Sequence, residues 1–225
     1  MKPRVWMALG AEALVFAALL FGAAGTLRWP AAWAFLALFF GAALRITLTV
    51  AREDPALLDE RMKSFIQKGQ PAWDRILMSA IVVLFAGWLA LMGLDAVRFA
   101  WSAVPAWLQG IGAAGVAAGM WICHRAFREN TFLAPVVRIQ RERGHHVVST
   151  GPYRVVRHPL YSGALVIFPS TALMLGSWYG LAASTALGIA LVIRTALEDR
   201  ELRRALEAYA EYAGRVRYRV IPRVW

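Results

Sequence analysis

Gly151-Pro152-Tyr153-Arg154-Val155-Val156-Arg157-His158-Pro159-Leu160-Tyr161-Ser162-Gly163 is a polar, aromatic, turn-rich stretch at the mouth of a long apolar segment. It holds two prolines, two arginines, two tyrosines and one of only four histidines in the chain. That density of hydrogen-bonding and turn-forming residues is what a binding site at a membrane surface requires. The chain around it has 225 residues, of which 59% are hydrophobic, and a mean hydropathy of +0.50. A soluble domain would be about 45–50% apolar, so the composition points to a membrane protein. The net charge of +11 would also suit a nucleic-acid binder. In a protein with several spans the same excess marks loops facing an anionic leaflet, and we expect no nucleic-acid partner. The single cysteine, Cys123, excludes an intrachain disulfide and is read as a small buried hydrophobe. The first apolar run is too long for a secretory signal peptide.

Working outward from 151–163, about six segments are apolar and long enough to be read as spans. The first four cover residues 5–27, 31–50, 74–97 and 103–123. The last two, 160–175 and 179–197, are separated by Gly176-Ser177-Trp178 and form a helical hairpin. Between the second and third spans the chain is charged, and Leu57, Leu58, Met62, Phe65 and Ile66 recur at helical spacing. This predicts an amphipathic interfacial helix near 53–68, ended by Gly69 and Pro71. Gly110, Gly112, Gly115 and Gly119 include the small-xxx-small spacing that permits close helix packing. Val136, Val137 and Ile139 read as a short extended piece. Adjacent His145 and His146 lack further ligands at metal spacing, so no metal site is expected.

Lysine and arginine alternate between loops. Lys2 and Arg4 precede the first span, and Arg52, Arg61, Lys63, Lys68 and Arg75 follow the second. Seven arginines lie between His124 and His158, and more crowd the C-terminal tail, whereas the intervening short loops hold only Arg28 and Arg98. The pattern predicts both termini, and the 151–163 stretch, on the cytoplasmic side. The fold class is therefore all-α, a single polytopic membrane domain over 1–225. Four N-terminal spans with the interfacial helix occupy 1–123, and a functional C-terminal half occupies 124–225.

The last span continues into a charged helix on which Arg194, Glu198, Leu202, Ala205, Tyr209 and Tyr212 follow spacings of three and four and share one face. Asp199 lies off that stripe. A solvated juxtamembrane helix would account for the stripe alone. The hairpin, however, returns this helix to the side where 151–163 begins, so Tyr161 and Glu198 should meet. The cleft between them would be polar at its aqueous end and apolar toward the bilayer, suited to one water-soluble ligand and one lipophilic ligand.

Gly151-Pro152-Tyr153 followed by Arg157-His158-Pro159-x-Tyr161-x-Gly163 resembles the signature of the isoprenylcysteine carboxyl methyltransferase family. The tail is similar too, with Arg194, the acidic pair Glu198-Asp199, Leu202, Tyr209-x-x-Tyr212, Val216 and Ile221-Pro222. The resemblance covers roughly residues 124–225, and the pair is Glu-Asp where many members have Glu-Glu. It implies an integral membrane methyltransferase that uses S-adenosyl-L-methionine in a helical pocket. The absence of a Gly-x-Gly-x-x-Gly motif after a strand agrees with this. Carried over, Tyr153, His158, Pro159, Tyr161, Gly163, Glu198 and Tyr209 would bind the cofactor. Arg194, with Arg157 second, would orient a substrate carboxylate, and Glu198 would face cationic groups. The expected acceptor is a lipophilic molecule arriving from the bilayer, with carboxyl O-methylation of an isoprenylcysteine-like group the first reading. Alternatives are phospholipid N- or thiol S-methylation, a steroid-reductase-like NADPH-dependent reductase, a transporter, and a non-catalytic assembly protein. The expected location is a bacterial inner membrane.

Overall fold

The computed structural model describes residues 3–225. It is all-helical, with no strand among the described residues. The helices are α1 (Pro3–Ala24), α2 (Pro30–Glu53), α3 (Pro55–Arg61), α4 (Ala72–Gly93), α5 (Ala106–Glu129), α6 (Pro159–Leu175), α7 (Trp178–Ala205) and α8 (Tyr209–Arg215). Lys2, grouped above with Arg4, lies outside the described residues. Five helices are long and apolar enough to cross a membrane: α1, α2, α4 with its π-helical extension to Arg98, α5 and α7. The sixth expected span, α6, has only 17 residues. The chain is a polytopic membrane protein.

Local chemistry sets most of the boundaries. Pro30 and Pro159 open α2 and α6 at the first helical position, where a missing N–H costs nothing. The Ser177 side chain caps α7 by accepting from the Gly180 N–H at 2.7 Å. Gly176, at φ +83°, closes α6 in the left-handed conformation. The core runs through the middle of the bundle and includes the fully buried Leu20, Phe35, Leu89, Met92, Val116 and Leu175.

Helices α5 and α6 are in the closest contact. A Cβ on Gly112 would come within 2.5 Å of the Met174 nitrogen, and one on Gly119 within 2.8 Å of the Gly163 carbonyl oxygen. The glycine spacing therefore encodes an interface, except at Gly110, where a Cβ would meet open space.

Two expectations need correction, and a third gains a partner. The interfacial helix is α3 alone, seven residues rather than 53–68. Beyond Met62 the side chains of Ser64, Gln67 and Gln70 bond to nearby backbone or to each other's neighbours, which competes with helix continuation. The 136–139 piece joins no ladder among the described residues; the Val137 N–H donates to Asp74 Oδ2 at 3.0 Å instead. The stripe on the last helix is also interrupted. α7 ends at Ala205, Leu206 is extended, and Tyr209 and Tyr212 reach the site from α8.

One end of the bundle gathers the start of α1, the end of α2, α3, the start of α4, the end of α5, the start of α6 and the end of α7. Long-range polar bonds join them: Arg4 to Asp59, Arg128 to Glu53, Arg138 to Glu60 and Arg194 to Asp74. The opposite end carries an aromatic cluster of Phe99, Trp101 and Tyr179.

Candidate functional site

A cavity of about 310 Å³ opens at the polar end. Four pieces wall it: the 151–161 segment, the last turns of α7 with α8, the irregular stretch 130–148, and residues between Arg61 and Met78 at the end of α3 and the start of α4.

The first wall begins with a 3-10 turn, Gly151–Arg154. Gly151, at φ +53°, is in the left-handed region and lies against the Glu129 side chain, so only glycine fits comfortably there. Asn130 Nδ2 donates to the Tyr153 hydroxyl at 3.1 Å, and the Tyr212 hydroxyl donates to the Tyr153 carbonyl at 2.7 Å. His158 precedes α6, and its ring stacks on Tyr161 with centroids 5.7 Å apart and planes 10° from parallel. The Tyr161 hydroxyl donates to Glu198 Oε2 at 2.5 Å. The contact expected from the hairpin is therefore present. The Arg194 guanidinium lies over the Tyr161 ring at 5.7 Å.

Beneath this wall lies a hub that the sequence did not single out. Asp199 is 1% exposed. It accepts from Arg157 Nε at 2.7 Å, Arg157 Nη2 at 3.2 Å, the Tyr209 hydroxyl at 2.8 Å, and Arg203 and Arg219 at 3.3 Å each. His158 Nε2 is 3.5 Å from the same carboxylate. Arg157 also donates to the Val216 and Arg217 carbonyls. Its expected availability to a ligand carboxylate is corrected: four of its bonds lie within the protein, and it ties 151–161 to the tail. Backbone bonds reinforce that tie, from Arg157 N–H to Tyr218 and from His158 N–H to Arg219. Burial pushes the phenols of Tyr153, Tyr209 and Tyr212 above their usual range, so they stay neutral.

Two further expected residues are not in the cavity wall. Pro159 is the buried first residue of α6. Gly163 faces α5, where a Cβ would meet Cys123 Sγ at 2.6 Å. Both belong to helix start and helix packing. Tyr153, Arg157, His158, Tyr161, Arg194, Glu198 and Tyr209 do line the cavity. Arg194 has an internal partner as well, because Nε donates to Asp74 Oδ1 at 3.0 Å and Nη2 to the Pro135 carbonyl at 3.2 Å. Its Nη1 makes no hydrogen bond among the described residues.

The third wall is the 130–148 stretch. Arg143 donates to the Thr131 carbonyl, the Thr131 hydroxyl and Gln140 Oε1. The buried Gln140 donates to the Phe132 carbonyl at 2.8 Å. His145 stacks on Phe132 at 4.3 Å, and its Nδ1 accepts from the Gln140 N–H. Burial, then the neighbouring His146, Arg143 and Arg138, push the His145 pKa down to about 4. The folded loop thus favours neutral imidazole over the ordinary value near 6.5. Its stabilising effect is complete above about pH 6.5 and is lost as the pH falls toward 4. Hydrogen-exchange protection of residues 132–146 should fall over that window in the wild type and not in His145→Phe, which keeps the stacked ring and cannot titrate. Identical profiles would remove His145 from the loop's stability.

Among carboxylates on the cavity, Glu198 stands apart. Its one hydrogen bond among the described residues comes from Tyr161, and it has no ion pair with any described cation. The site thus presents an aromatic wall and an anionic group uncommitted to any basic residue. That arrangement suits a cationic, ring-bearing, water-soluble ligand.

Residues 108–209 match the phospholipid methyltransferase family. The matched segment contains all of α6 and α7, nearly all of α5, and every cavity residue from Asn130 to Tyr209. A comparison with curated proteins finds no match. On the family match the chain is a methyltransferase, and its helices make it an integral membrane protein.

Proposed function

We propose that this membrane methyltransferase takes its methyl group from S-adenosyl-L-methionine and transfers it to a lipophilic acceptor, by carboxyl O-methylation of an isoprenylcysteine-like group. The observation that carries the cofactor assignment is Glu198: a cavity-facing carboxylate with no basic partner, held by the Tyr161 hydroxyl at 2.5 Å. The donor set fits. Tyr153, His158, Tyr161 and Tyr209 offer flat faces, and Glu198 offers a countercharge for the ligand's amino and sulfonium groups. When bound, S-adenosyl-L-methionine supplies a methyl group on a positively charged sulfur.

The protein's own part is to bind, orient and exclude water. Tyr161 fixes the Glu198 carboxylate by hydrogen bonding and turns its ring face to Arg194. Asp74 fixes Arg194 through Nε, leaving Nη1 without a hydrogen bond among the described residues. A carboxylate acceptor needs orientation and no deprotonation, which a positioned guanidinium supplies. The second reading, N-methylation of a phospholipid amine, is favoured by the family match. It requires a proton acceptor, and Glu198 would fill that role. The loop charges support placing the site end in the cytoplasm and the protein in a bacterial inner membrane.

Calorimetric titration of S-adenosyl-L-methionine into the detergent-solubilised protein tests the assignment. Glu198→Ala should weaken binding about tenfold or more, as for a lost hydrogen bond to a charged group. Tyr161→Phe should weaken it less, by freeing the carboxylate. Wild-type affinity in both variants would sink the assignment. Methylation assays with a prenylcysteine and with phosphatidylethanolamine separate the two acceptors.

A further inference from the structure

A second chamber of about 370 Å³ lies inside the bundle, walled chiefly by apolar and aromatic side chains of α1, α2, α4, α5 and α6. It shares two residues with the polar cavity, Leu160 and Arg61. Arg61 is the last residue of α3. Its side chain is exposed, yet it lines both cavities, so its free surface faces them.

Arg61 is an unusual cation. Its guanidinium lies 5.1 Å above the Phe127 ring. Among the described residues it has no hydrogen bond and no ion pair. The carboxylate of Glu12, on α1, lines the same chamber but forms no ion pair with it. Burial and the nearby Arg194 charge push its pKa down, while Glu12 acts in the opposite sense. Arginine nonetheless stays charged in proteins. A guanidinium that opens on two cavities with its donors unspent on the protein can take an incoming oxyanion in charge-assisted hydrogen bonds.

We infer that Arg61 binds the anionic head of the acceptor, a carboxylate or phosphate on an apolar chain, while the chain occupies the chamber behind it. This rests on the methyl-transfer reading above and adds the acceptor's binding residue and charge. The head would lie where the two cavities meet, beside Leu160, the residue before Tyr161. The chain would run past Phe16, Phe39 and Phe168. The opposite chemistry, a cationic lipid amine, would meet Arg61 and Arg194 as like charges.

The test uses the full chain in detergent, with tritiated palmitate and hexadecyl phosphate as probes and hexadecyltrimethylammonium as the cationic control. The wild type should bind at least one of the two anions and bind the cation more weakly. The anion preferred identifies the head as carboxylate or phosphate. Arg61→Gln should weaken the preferred anion about tenfold or more, with Arg61→Lys intermediate. Should Arg61→Gln not fold, Ala164→Trp fills the chamber instead; it should weaken palmitate and spare butyrate. Undiminished anion binding by Arg61→Gln, undiminished palmitate binding by Ala164→Trp, or preference for the cation overturns the inference. S-adenosyl-L-methionine binding is measured on the same wild-type preparation. Cofactor binding without any chain anion overturns this inference alone, whereas anion binding without cofactor overturns the methyl-transfer reading alone.

Discussion

Replacing Asp199 with alanine should cost about 3–5 kcal/mol of stability, the range for removing one partner of a buried ion pair, and should loosen the whole site end. The carboxylate is 1% exposed and faces Arg157, itself 4% exposed. With Asp199 gone, the Arg157 guanidinium keeps only two carbonyl acceptors from the tail, which satisfy its geometry but not its charge. The Tyr209 hydroxyl loses its 2.8 Å acceptor in the same step. Arg203 and Arg219 lose a counterion too, with smaller effect because both are partly exposed. Thermal unfolding of the detergent-solubilised protein measures the loss. Tyr209→Phe is the internal scale: it removes the hydroxyl's 2.8 Å bond to Asp199 and its longer 3.4 Å contact with His158 Nε2, and should cost about 0.5–1.5 kcal/mol for the bond to Asp199. If Asp199→Ala costs no more than Tyr209→Phe, the carboxylate is not the hub described above. Loss of cofactor affinity is expected as a secondary effect, since His158 and Tyr161 are carried by the segment that Arg157 holds.

The second large effect is expected at Asp74→Ala. Asp74 is fully buried in the first turn of α4. It accepts from Arg194 Nε, Gln70 Nε2 and the Val137 N–H. Its removal leaves a guanidinium without its counterion and two amides, the Gln70 side chain and the Val137 backbone, without this acceptor. It should therefore cost about 3–5 kcal/mol, with about 1–3 kcal/mol of that scale attributable to each unsatisfied neutral group. The double variant Asp74→Leu with Arg194→Met removes both charges and should recover much of the loss. It also separates folding from chemistry. A folded double variant that still binds S-adenosyl-L-methionine but does not turn over assigns Arg194 to the acceptor. A folded double variant with wild-type turnover removes Arg194 from the mechanism.

Both predictions turn on carboxylates whose importance the sequence concealed. The spans were legible because long apolar runs have few alternatives, and α6 and α7 were legible as a hairpin because Gly176 and Ser177 mark a turn and a cap. The Tyr161–Glu198 contact followed from that hairpin alone. Asp199 was hidden because a helical stripe ranks residues by the face they share with Arg194. Asp199 is one position from Glu198 and faces the tail, whose return path no local pattern reveals. The break after Ala205 was hidden for a related reason. Spacings of three and four fit a continuous helix, whereas tertiary burial of Tyr209 and Tyr212 against Val147, Leu202, Leu206 and Val216 outweighs about one turn of helix. Pro159 and Gly163 read as cofactor residues because the family signature they resemble includes them; the structure gives them helix start and close packing instead. Arg61 carried no local signal at all, because its significance comes from two cavities that meet only in three dimensions.

The shortness of α6 has a consequence for depth. Seventeen residues span about 25 Å at the α-helical rise, against a hydrocarbon core of about 30 Å. At the far end the chain turns at Gly176 into exposed Trp178 and Tyr179, near Trp101, residues that settle at the lipid–water boundary. Anchoring there puts the whole shortfall at the other end, so that α6 itself falls about 5 Å short of the opposite boundary. The reactive end of the cavity is then level with the upper acyl carbons rather than the headgroups. A lipid acceptor meets it without being drawn out of its leaflet, and bilayer thickness itself becomes a control on turnover: thinner membranes raise the site toward water, and thicker ones submerge it.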